Sequence, residues 1–312
     1  MILLSGFVLV DLVAADLPYL PPPGDIVFAP RGISAYPGGH PDNVASTLVR
    51  LGHDPKDVAL IGAIGRDVFG SFLKEEMGSL GINLLFHEVT AGTGKTLSLK
   101  PKGKDRSFIS DVGANLLFDA SWVTSAIEDM RPSAFYMAGG ILGRGDEGFG
   151  TAFAKAKEIG ALTFADYVKP LGKGWEYLVS ALPYVDVLHL NREEAYAVTG
   201  ERDWERSAKI LSKMGVRMAV VTDESGALAS WDGGRKALFQ PSFKVEVVDT
   251  TAAGDSFVAG LMEKMMAGIP EEEKGVQEAL SFAQATAAVK CTGVSTSAVN
   301  RNSVEELLRE RS

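Results

Sequence analysis

Strand and helix patterns alternate along most of this chain, and this alternation limits its fold more than any other feature. Short apolar runs at residues 58–64, 134–137 and 185–190 are typical of buried strands, and helical spacing of apolar residues follows each of them. Strands that alternate with helices favour a mostly parallel sheet with helices on both faces. The sequence therefore predicts the α/β class, with ligands bound at the carboxyl ends of the strands.

Two segments, residues 12–37 and 84–110, interrupt this alternation. They contain short apolar pieces separated by proline, glycine and lysine, a pattern typical of short strands and turns. We predict that both belong to a small antiparallel β projection on a single α/β domain that spans residues 1–312. Residues 2–12 form the predicted first strand of the main sheet, which would place Asp11 at its ligand-binding end.

Composition restricts the partners and the compartment. The 312 residues carry a net charge of −9, which disfavours general binding to nucleic acid because that binding rests on neutralising phosphates. The one cysteine, Cys291, excludes an intramolecular disulfide and indicates a reducing compartment, the cytoplasm. Residues 1–10 are apolar, but no Lys or Arg precedes Arg31, so we predict a buried strand there rather than a signal peptide. No apolar run approaches the roughly 18 residues of a membrane span, so we expect no membrane partner.

A tract of small residues lies between a strand pattern and a helix pattern. Apolar and polar residues alternate over 243–247, which predicts a half-buried strand, and apolar residues at helical spacing predict a helix over 255–267. Between them, Ala252, Ala253 and Gly254 have no bulky side chain. Backbone N–H groups can therefore approach an anion there, and the helix N-terminus adds partial positive charge.

Asp255 lies directly beside this tract of small residues. A bound phosphate repels a carboxylate, so an acid at this position suggests a chemical task. Removing the proton from a hydroxyl that attacks a phosphate is such a task. The alternative is that Asp255 only favours the first turn of the helix, where acids are common.

Two glycines and an amide side chain occur together near the start of an earlier helix. Gly38 and Gly39 allow a ligand to touch the backbone, and Asn43 offers both a donor and acceptors. Asp11 can accept hydrogen bonds from two hydroxyl groups. Each of these residues also fits a structural role in a turn, a helix cap or the start of a loop.

Asn191 and Glu194 follow the predicted strand at 185–190. They would lie at the ligand-binding edge of the sheet, where an amide and a carboxylate can approach a metal-bound phosphate. The alternative is an acid-rich helix start with no ligand.

The segment Gly143–Gly148 has the G-x-G-x-x-G form of a dinucleotide-binding turn. A predicted strand precedes it, a predicted helix follows it, and Asp166 lies at a suitable distance along the chain to bind a ribose. An oxidoreductase that uses NAD(P) is therefore an alternative from another class of enzyme. The preceding strand is predicted to end near Met137, however, so the glycines do not follow it directly.

Several of these segments together resemble the pfkB, or ribokinase-like, family of carbohydrate kinases. Residues 38–45, with Leu51 and Gly52, look like its first signature, and residues 64–70 are similar to the segment that follows. Residues 249–257 look like its second signature, which is highly specific. The resemblance covers nearly the whole chain, and the first signature and the segment after it look more like fructokinases than nucleoside kinases.

This resemblance implies a ribokinase-like three-layer sandwich, in which a mostly parallel central sheet has helices on both faces and carries a small β lid. It implies ATP-dependent phosphorylation of a hydroxyl on a sugar or sugar acid, with ATP as co-substrate and Mg²⁺ as cofactor. A nucleoside kinase of the same family is the alternative. The lid would exclude water that could otherwise hydrolyse ATP. Many relatives bind a monovalent cation such as K⁺, and homodimers that pair through the lid are common among them.

The resemblance also implies roles for individual residues. Asp255 would be the catalytic base, and Ala252, Ala253 and Gly254 would form the anion hole. Substrate hydroxyls would be bound by Asp11, Gly38, Gly39 and Asn43. The nucleotide would be bound by Asn191, Thr222 and Gly226. Glu194 would contact Mg²⁺ indirectly, and Asp249 and Thr251 would bind K⁺. The turn at 222–226 lacks the first glycine usual in the family, and His40 stands where ribokinase has a lysine.

Overall fold

The structure, a computed structural model, describes residues 1–104 and 106–310. In chain order its strands are β1 (Ile2–Ser5), β2 (Leu9–Leu17), β3 (Ser34–Gly38), β4 (Val58–Gly65), β5 (Asn83–Val89), β6 (Lys95–Pro101), β7 (Ser107–Asp111), β8 (Ala134–Gly139), β9 (Leu162–Tyr167), β10 (Val187–Asn191), β11 (Met218–Asp223), β12 (Gly226–Trp231) and β13 (Lys236–Pro241). Its helices are α1 (His40–Arg50), α2 (Val68–Ser79), α3 (Ala120–Met130), α4 (Phe149–Glu158), α5 (Glu176–Ala181), α6 (Arg192–Thr199), α7 (Trp204–Lys213), α8 (Ala253–Met265), α9 (Glu273–Cys291) and α10 (Arg301–Arg309).

Within the described ranges, nine strands form one large sheet in the order β13-β12-β11-β10-β9-β8-β1-β4-β5. The strands from β11 to β5 run parallel, and the hairpin β12–β13 adds an antiparallel edge. At the centre, Ile2 of β1 pairs with Val58 on one side and Ala134 on the other. Every residue of β1, β4 and β8 is buried, which fits parallel strands covered on both faces.

Helices cover both faces of the large sheet and complete the three layers. One group consists of α1, α8, α9 and α10, which pack on one another, and α3, α4 and α5 form a second packed group. The predicted α/β class and three-layer architecture are confirmed. In the described part of the chain, no helix has the length and apolar content needed to cross a membrane.

A second sheet, here called the lid sheet, consists of β3, β2, β6 and β7 in that order. Its strand β2 pairs antiparallel with β3 and parallel with β6, so the sheet is mixed rather than purely antiparallel as predicted. The predicted lid also included residues 84–110 without a break. The strand β5 instead pairs in parallel with β4 in the large sheet, because its side chains Leu84 and Phe86 pack on the main core.

The predicted first strand over residues 2–12 is divided between the two sheets. The chain leaves the large sheet after Ser5 and enters the lid sheet at Leu9. Between these points the side chain of Asn115 takes the place of a neighbouring strand, because its Oδ1 accepts from Val8 N at 2.9 Å and its Nδ2 donates to Val8 O at 2.8 Å. The placement of Asp11 at the end of a main-sheet strand was therefore wrong, since Asp11 lies within β2 of the lid sheet.

The strand predicted at residues 243–247 is also wrong. These residues, all of which the structure describes, form no strand. The chain runs on to the end of α9, where Val248 N and Asp249 N donate to Cys291 O at 2.8 and 3.2 Å. The C-terminal carbonyl of a helix thus takes the hydrogen bonds that a neighbouring strand would have taken.

Candidate active site

Two cavities meet at the N-terminus of α8. The polar cavity, of about 350 Å³, is lined by charged and polar residues from several strand ends. The apolar cavity, of about 450 Å³, lies beside it. The two cavities share five lining residues, which are Thr222, Asp223, Thr250, Ala253 and Gly254. The helix N-terminus therefore faces two adjacent spaces of different chemistry.

The tract of small residues predicted to bind an anion begins α8. Ala252 is its N-cap, with a φ of 62°, and makes no side-chain capping bond. A left-handed alanine costs about 1–3 kcal/mol and is commonly found at functional sites. The amides of Gly254 and Asp255 lie in the first turn, where a helix provides no backbone acceptor. Gly254 also lines both cavities. We call Ala252, Ala253 and Gly254 the anion cradle, and their binding of an anion stays a prediction.

Asp255 lies in the first turn of α8 and is 5% exposed. Its Oδ2 accepts a hydrogen bond from Asn43 Nδ2 at 2.7 Å, and its Oδ1 is 3.4 Å from His40 Nδ1. Burial raises the pKa of Asp255, while the charge of His40 and the bond from Asn43 oppose that rise. The carboxylate is thus placed beside the cradle, and its tendency to hold a proton is greater than that of an exposed aspartate.

A chain of charged groups runs from Asp255 into the strand ends. Asp166, in β9, lies between two imidazoles, with its Oδ2 3.6 Å from His40 Nδ1 and 3.2 Å from His189 Nδ1. His189 Nε2 in turn is 2.9 Å from Thr222 Oγ1. The ligand atoms of His40, Asp166 and Asp255 lie within 4.8 Å of one another. The group is a compact network of alternating charge beside the anion cradle.

The pKa values in this network favour charged imidazoles. Burial opposes the charge of His40, but Asp255 and Asp166 overcome it and raise the pKa of His40 to about 10. Burial likewise opposes the charge of Asp166, but His189 and His40 lower its pKa below the usual range. The raised pKa favours the imidazolium form of His40, which places a positive charge between the two carboxylates. Sequence reasoning missed this network, although a histidine and an aspartate near the ends of two adjacent buried strands were a usable signal.

Gly38 and Gly39 are required by close packing. A Cβ at Gly38 would lie 2.2 Å from Asp11 Oδ2, and one at Gly39 would lie 2.3 Å from Phe7 O. Burial, with the charges of Asp255 and Asp249, raises the pKa of Asp11 to about 7. Among the described residues, Asp11, Gly38, Gly39 and Asn43 are not part of the polar cavity lining, but Asn43 contacts Asp255 directly. Their predicted contacts with substrate hydroxyls stay predictions.

Asp42 is a further buried acid next to this group. It is 1% exposed, and neither of its oxygens has a hydrogen-bond partner among the described residues. Burial, with the charges of Asp11 and Asp255, raises its pKa well above the ordinary value. The raised pKa favours the protonated form of Asp42, which adds no negative charge beside Asp11 and Asp255.

Asn191 and Glu194 form a reciprocal cap at the start of α6. Asn191 Oδ1 accepts from Glu194 N, and Glu194 Oε2 accepts from Asn191 N, both at 2.9 Å. This is the helix-start role that was the structural alternative for the pair. Both residues also line the polar cavity, so the cap fixes them at the site rather than removing them from it.

The polar cavity contains carboxylate oxygens of the kind that bind Mg²⁺. The carboxylates of Glu194, Asp166 and Asp223 are all part of its lining, and hard divalent cations prefer such ligands. Burial, with the charge of Asp166, raises the pKa of Glu194 to about 7. A divalent cation would offset this repulsion, and the magnesium ion assigned to Glu194 stays a prediction.

The predicted nucleotide turn contributes only part of its residues to the site. Thr222, Asp223 and Glu224 line the apolar cavity, whereas Gly226 lines neither cavity within the described part of the chain. The backbone of Gly226 instead lies against the neighbouring strand, where a Cβ would come within 2.2 Å of Gln240 O. The assignment of Gly226 to the nucleotide gains no support from this packing.

The apolar cavity is lined mainly by apolar side chains. Its apolar side chains come from the segment before α8, from α8 itself and from α9, and Gly254 lies at its junction with the polar cavity. These residues are Phe243, Val245, Val247, Phe257, Ala287, Ala288 and Cys291. Ligand pockets are typically apolar with a few placed polar groups, and here Thr222 and Gln284 provide such groups.

The predicted monovalent-cation site does not fit a metal ion. Asp249 Oδ2 accepts from Lys290 Nζ at 3.2 Å, and its Oδ1 accepts from Thr251 Oγ1 at 3.0 Å. Asp249 Oδ1 is also 3.3 Å from Arg106 Nη1, next to the lid strand β7. Both carboxylate oxygens are thus engaged by side chains of the protein.

The lid sheet reaches the segment that precedes α8. Arg106 Nη1 donates to Thr250 Oγ1 at 2.8 Å, and Lys100 Nζ donates to Val248 O at 2.6 Å. Arg106 also lines the polar cavity. Residues of the lid sheet and its connection therefore contact the backbone that carries the anion cradle.

The segment Gly143–Gly148 is a 3₁₀ turn that is packed on protein rather than open to a dinucleotide. Asp146 is buried in it and accepts from Gly140 N at 2.8 Å and Leu142 N at 3.0 Å. The backbone amides before the turn are therefore satisfied by the chain itself. Asp166, the predicted ribose ligand, pairs with His40 and His189 instead. The NAD(P) oxidoreductase alternative is unsupported.

Comparison with known proteins gives one consistent family. Residues 2–302 match the family described as pfkB family carbohydrate kinase. Ribokinase of Haemophilus influenzae is 27% identical over 305 residues, covering 94% of each chain. Fructokinase of Klebsiella pneumoniae is 27% identical over 276 residues, covering 82% of this chain and 86% of that one. The structure of Arabidopsis thaliana ribokinase complexed with ribose and ATP superposes with a TM-score of 0.80 at 22% identity, covering 99% of this chain and 98% of that one.

Proposed function

This chain belongs to the pfkB family of carbohydrate kinases, and from that premise we propose that it transfers the γ-phosphoryl group of ATP to a hydroxyl of a neutral sugar. One observation carries the proposal more than any other. A buried carboxylate, Asp255, lies beside an anion cradle at the point where a polar and an apolar cavity meet. Phosphoryl transfer needs this combination of a base, an anion site and two adjacent ligand spaces.

The proposed mechanism uses Asp255 as the base. The substrate hydroxyl in the polar cavity loses its proton to Asp255 as its oxygen attacks the γ-phosphorus, and the bond to the leaving ADP oxygen breaks in line. The first-turn amides of Gly254 and Asp255, beside the cradle residues Ala252 and Ala253, stabilise the negative charge on the transferred group. His40 opposes the protonation of Asp255 before the reaction. Glu194 would hold a magnesium ion near the phosphates, and that ion would neutralise part of their charge.

ATP is the proposed donor. The apolar cavity adjoins the cradle through Ala253 and Gly254, so a nucleotide base placed there would extend its phosphates toward Asp255. The solved ribokinase of Arabidopsis thaliana is complexed with ribose and ATP, and its fold matches this one. The ligands of that related structure support the proposal that this chain also takes a sugar and ATP.

The charge of the polar cavity favours a neutral sugar over a sugar acid. Asp255, Asp166, Glu194 and Asp223 are acidic groups in its lining. His40, His189 and Arg106 provide positive charge, but ion pairs already tie them to Asp166, Asp255 or Asp249. A carboxylate on the substrate would add a further negative charge to this network. Hydroxyl groups can instead donate to the carboxylates and accept from the imidazoliums.

A substrate panel tests the proposal. The purified protein is incubated with ATP and Mg²⁺ and with pentoses, hexoses, sugar acids, polyols and nucleosides, and both ADP release and the mass of the product are measured. We expect ADP release with at least one neutral sugar, matched by a product one phosphoryl group heavier. A phosphorylated nucleoside or sugar acid with no phosphorylated sugar would overturn the substrate assignment. A lack of phosphorylated product across the panel would contradict the kinase assignment.

We also propose that two copies pair through the lid sheet. Leu97 and Ile109 are paired across β6 and β7, and they are 38% and 61% exposed. In the connection between β2 and β3, Ile26, Phe28 and Ile33 are at least 67% exposed. Exposed apolar side chains that are neighbours on one sheet, as Leu97 and Ile109 are, are typical of an interaction site.

Light scattering coupled to gel filtration measures this assembly. We expect a dimer for the unmodified chain and a shift to monomer for Ile109→Lys. Val68→Lys is the matched control, because Val68 is 76% exposed but lies in α2, outside the lid sheet. A monomeric unmodified chain, or a dimer that Val68→Lys disrupts and Ile109→Lys does not, would exclude pairing through the lid.

A further inference from the structure

Lys290, near the C-terminal end of α9, is a fully buried cation. Its side chain is 0% exposed. Its Nζ donates to Asp249 O at 2.9 Å, to Asp249 Oδ2 at 3.2 Å and to Gly293 O at 3.5 Å. A lysine ammonium has three donors and is a compact point charge. Each of its donors therefore has an oxygen acceptor, two of them backbone carbonyls and one a carboxylate.

The oxygens around Lys290 Nζ are of the kind that coordinate a dehydrated monovalent metal ion. Carbonyl and carboxylate oxygens replace the water around an alkali ion when protein binds it. At this place the ammonium of Lys290 already makes those contacts, and Asp249 Oδ1 is used by Thr251 and Arg106. A second cation at Asp249 would lie beside the charge of Lys290 and be repelled by it.

The position of these contacts connects Lys290 to the anion cradle. Asp249 lies three residues before Ala252, the N-cap of α8. The backbone N–H groups of Val248 and Asp249 donate to Cys291 O, next to Lys290 in the chain. Lys290 therefore joins the end of α9 to the segment that sets the left-handed conformation at Ala252. Burial lowers the pKa of Lys290, and the charge of Asp249 opposes that change.

We propose that Lys290 is a built-in cation that holds the segment before α8 in place and makes the anion cradle independent of any monovalent metal ion. Lys290 is a positioning residue, since it acts on the cradle through Asp249 and touches no reacting group. The activity measurements that test this proposal rest on the function proposed above. The stability measurements do not depend on that function.

Two variants separate the charge of Lys290 from its volume. Lys290→Ala removes the ammonium and leaves a space lined by the same oxygens, so K⁺ or NH₄⁺ can enter. Lys290→Met removes the charge but fills most of the space with an apolar chain, so a cation cannot enter. Each variant and the unmodified protein are measured in KCl, NH₄Cl and tetramethylammonium chloride at one ionic strength. The readouts are the melting temperature and the turnover of ATP with the best sugar of the panel.

The unmodified protein is expected to change its turnover by less than about twofold among the three salts. Lys290→Ala is expected to lose turnover by about 10- to 100-fold in tetramethylammonium chloride, since displacement of a catalytic group by even 1 Å has such effects. K⁺ or NH₄⁺ should restore part of that turnover and raise the melting temperature of this variant. Lys290→Met should lose turnover similarly and show no response to either ion.

Severalfold activation of the unmodified protein by K⁺ would overturn the proposal. A Lys290→Met variant with unchanged turnover would overturn it too, as would equal responses of the two variants to K⁺. If the protein phosphorylates no sugar, the melting temperatures still decide the matter, because a K⁺-specific rise is expected for Lys290→Ala alone. If Lys290→Ala does not fold in tetramethylammonium chloride, folding that returns in KCl supports the proposal, and a failure to fold in all three salts contradicts it.

Discussion

Two segments of this molecule, each at the start of a helix and here called junctions, have similar sequences but different surroundings. One is the anion cradle at Ala252–Gly254, followed by Asp255 in the first turn of α8. The other is Gly143–Gly148, which precedes α4 and contains Asp146. Both place small residues before a helix, and both bury a carboxylate, with Asp255 at 5% and Asp146 at 0% exposure. Burial of an acid beside glycine therefore does not by itself indicate a catalytic site.

The partners of the two carboxylates separate the junctions. Asp146 accepts from two backbone amides of its own loop and pairs with Lys173, so its oxygens hold the chain in place. Asp255 contacts His40 and Asn43, which come from a distant part of the sequence, and it also lines the polar cavity. The first carboxylate holds its own loop in place, whereas the second one lines a cavity.

The glycines differ in the same way. A Cβ at Gly143 would lie 2.4 Å from Leu116 O, and one at Gly145 would lie 2.7 Å from Phe118 Cδ1. Gly145 and Gly148 also line a surface hollow of about 550 Å³, but the amide of Gly145 donates within the loop, to Leu142 O. At Gly254 the nearest neighbour of a Cβ would be His189 Cε1 at 3.3 Å. A small-residue motif thus shows that something approaches the backbone, and tertiary packing decides whether that is protein or ligand.

The largest expected difference concerns the two carboxylates. Asp255→Asn should lower kcat by about 10² or more, because it removes a positioned base. Asp146→Asn should leave kcat within about twofold and lower the free energy of unfolding by about 1–3 kcal/mol, because it weakens buried hydrogen bonds to charge. Steady-state kinetics and denaturant unfolding of both variants measure these effects. Near-normal turnover of Asp255→Asn would remove the basis for the distinction.

A smaller difference is expected for the glycines. Gly254→Ala should lower kcat by about tenfold with little change in stability, since its methyl group narrows an open cradle. Gly145→Ala should lower the free energy of unfolding by about 1–3 kcal/mol, because its methyl group would overlap Phe118. Activity per folded molecule of Gly145→Ala should stay unchanged. The reverse pattern, with a stability loss at Gly254 and a turnover loss at Gly145, would contradict our assignment of the two junctions.

The pH dependence sharpens the comparison further. Asp255 must be ionised to accept a proton, and burial raises its pKa above the ordinary 3.8, so kcat/KM should fall as the pH drops through that raised pKa. His40→Gln removes the main opposing charge, so the acid limb should move to higher pH. Asp146→Asn should leave the limb in place. A limb that moves equally in both variants would show that it reports a group other than Asp255.

The smallest effect is expected in the cavities beside each junction. Ala287→Phe places a ring in the apolar cavity and should raise KM for ATP roughly fivefold while kcat changes little, because it affects nucleotide binding alone. Leu117→Ala alters the hollow beside Gly145 and should leave KM for ATP unchanged. Initial-rate measurements with varied ATP distinguish the two, and a higher KM in Leu117→Ala alone would place the nucleotide at the other junction.

Sequence reasoning was most reliable where the signal was local. The strand over 58–64 and the helix after Asp67 are confirmed, and Asp67 accepts from Gly70 N as an N-cap. The helix predicted over 255–267 is confirmed as α8. Each of these elements is specified by residues within a few positions of one another.

The predictions that were wrong depended on distant contacts. Residues 2–12 looked like one strand because nothing nearby shows that Asn115 binds the backbone of Val8. The segment 243–247 alternates like a strand, but the segment that follows it bonds to the end of α9. Asn43 and Asp255 are 212 positions apart, and only the family signatures indicated that they belong to one site.

The most direct test is to determine whether the phosphates of a bound nucleotide lie near Gly254 or near Gly145. The protein is labelled with ¹⁵N-glycine and titrated with Mg²⁺ and a non-hydrolysable ATP analogue, with Gly254→Ala and Gly145→Ala used to assign the two resonances. We predict that the amide resonance of Gly254 shifts on binding and that the resonance of Gly145 does not. A shift at Gly145 with none at Gly254 would contradict the claim that the N-terminus of α8 binds the transferred phosphoryl group.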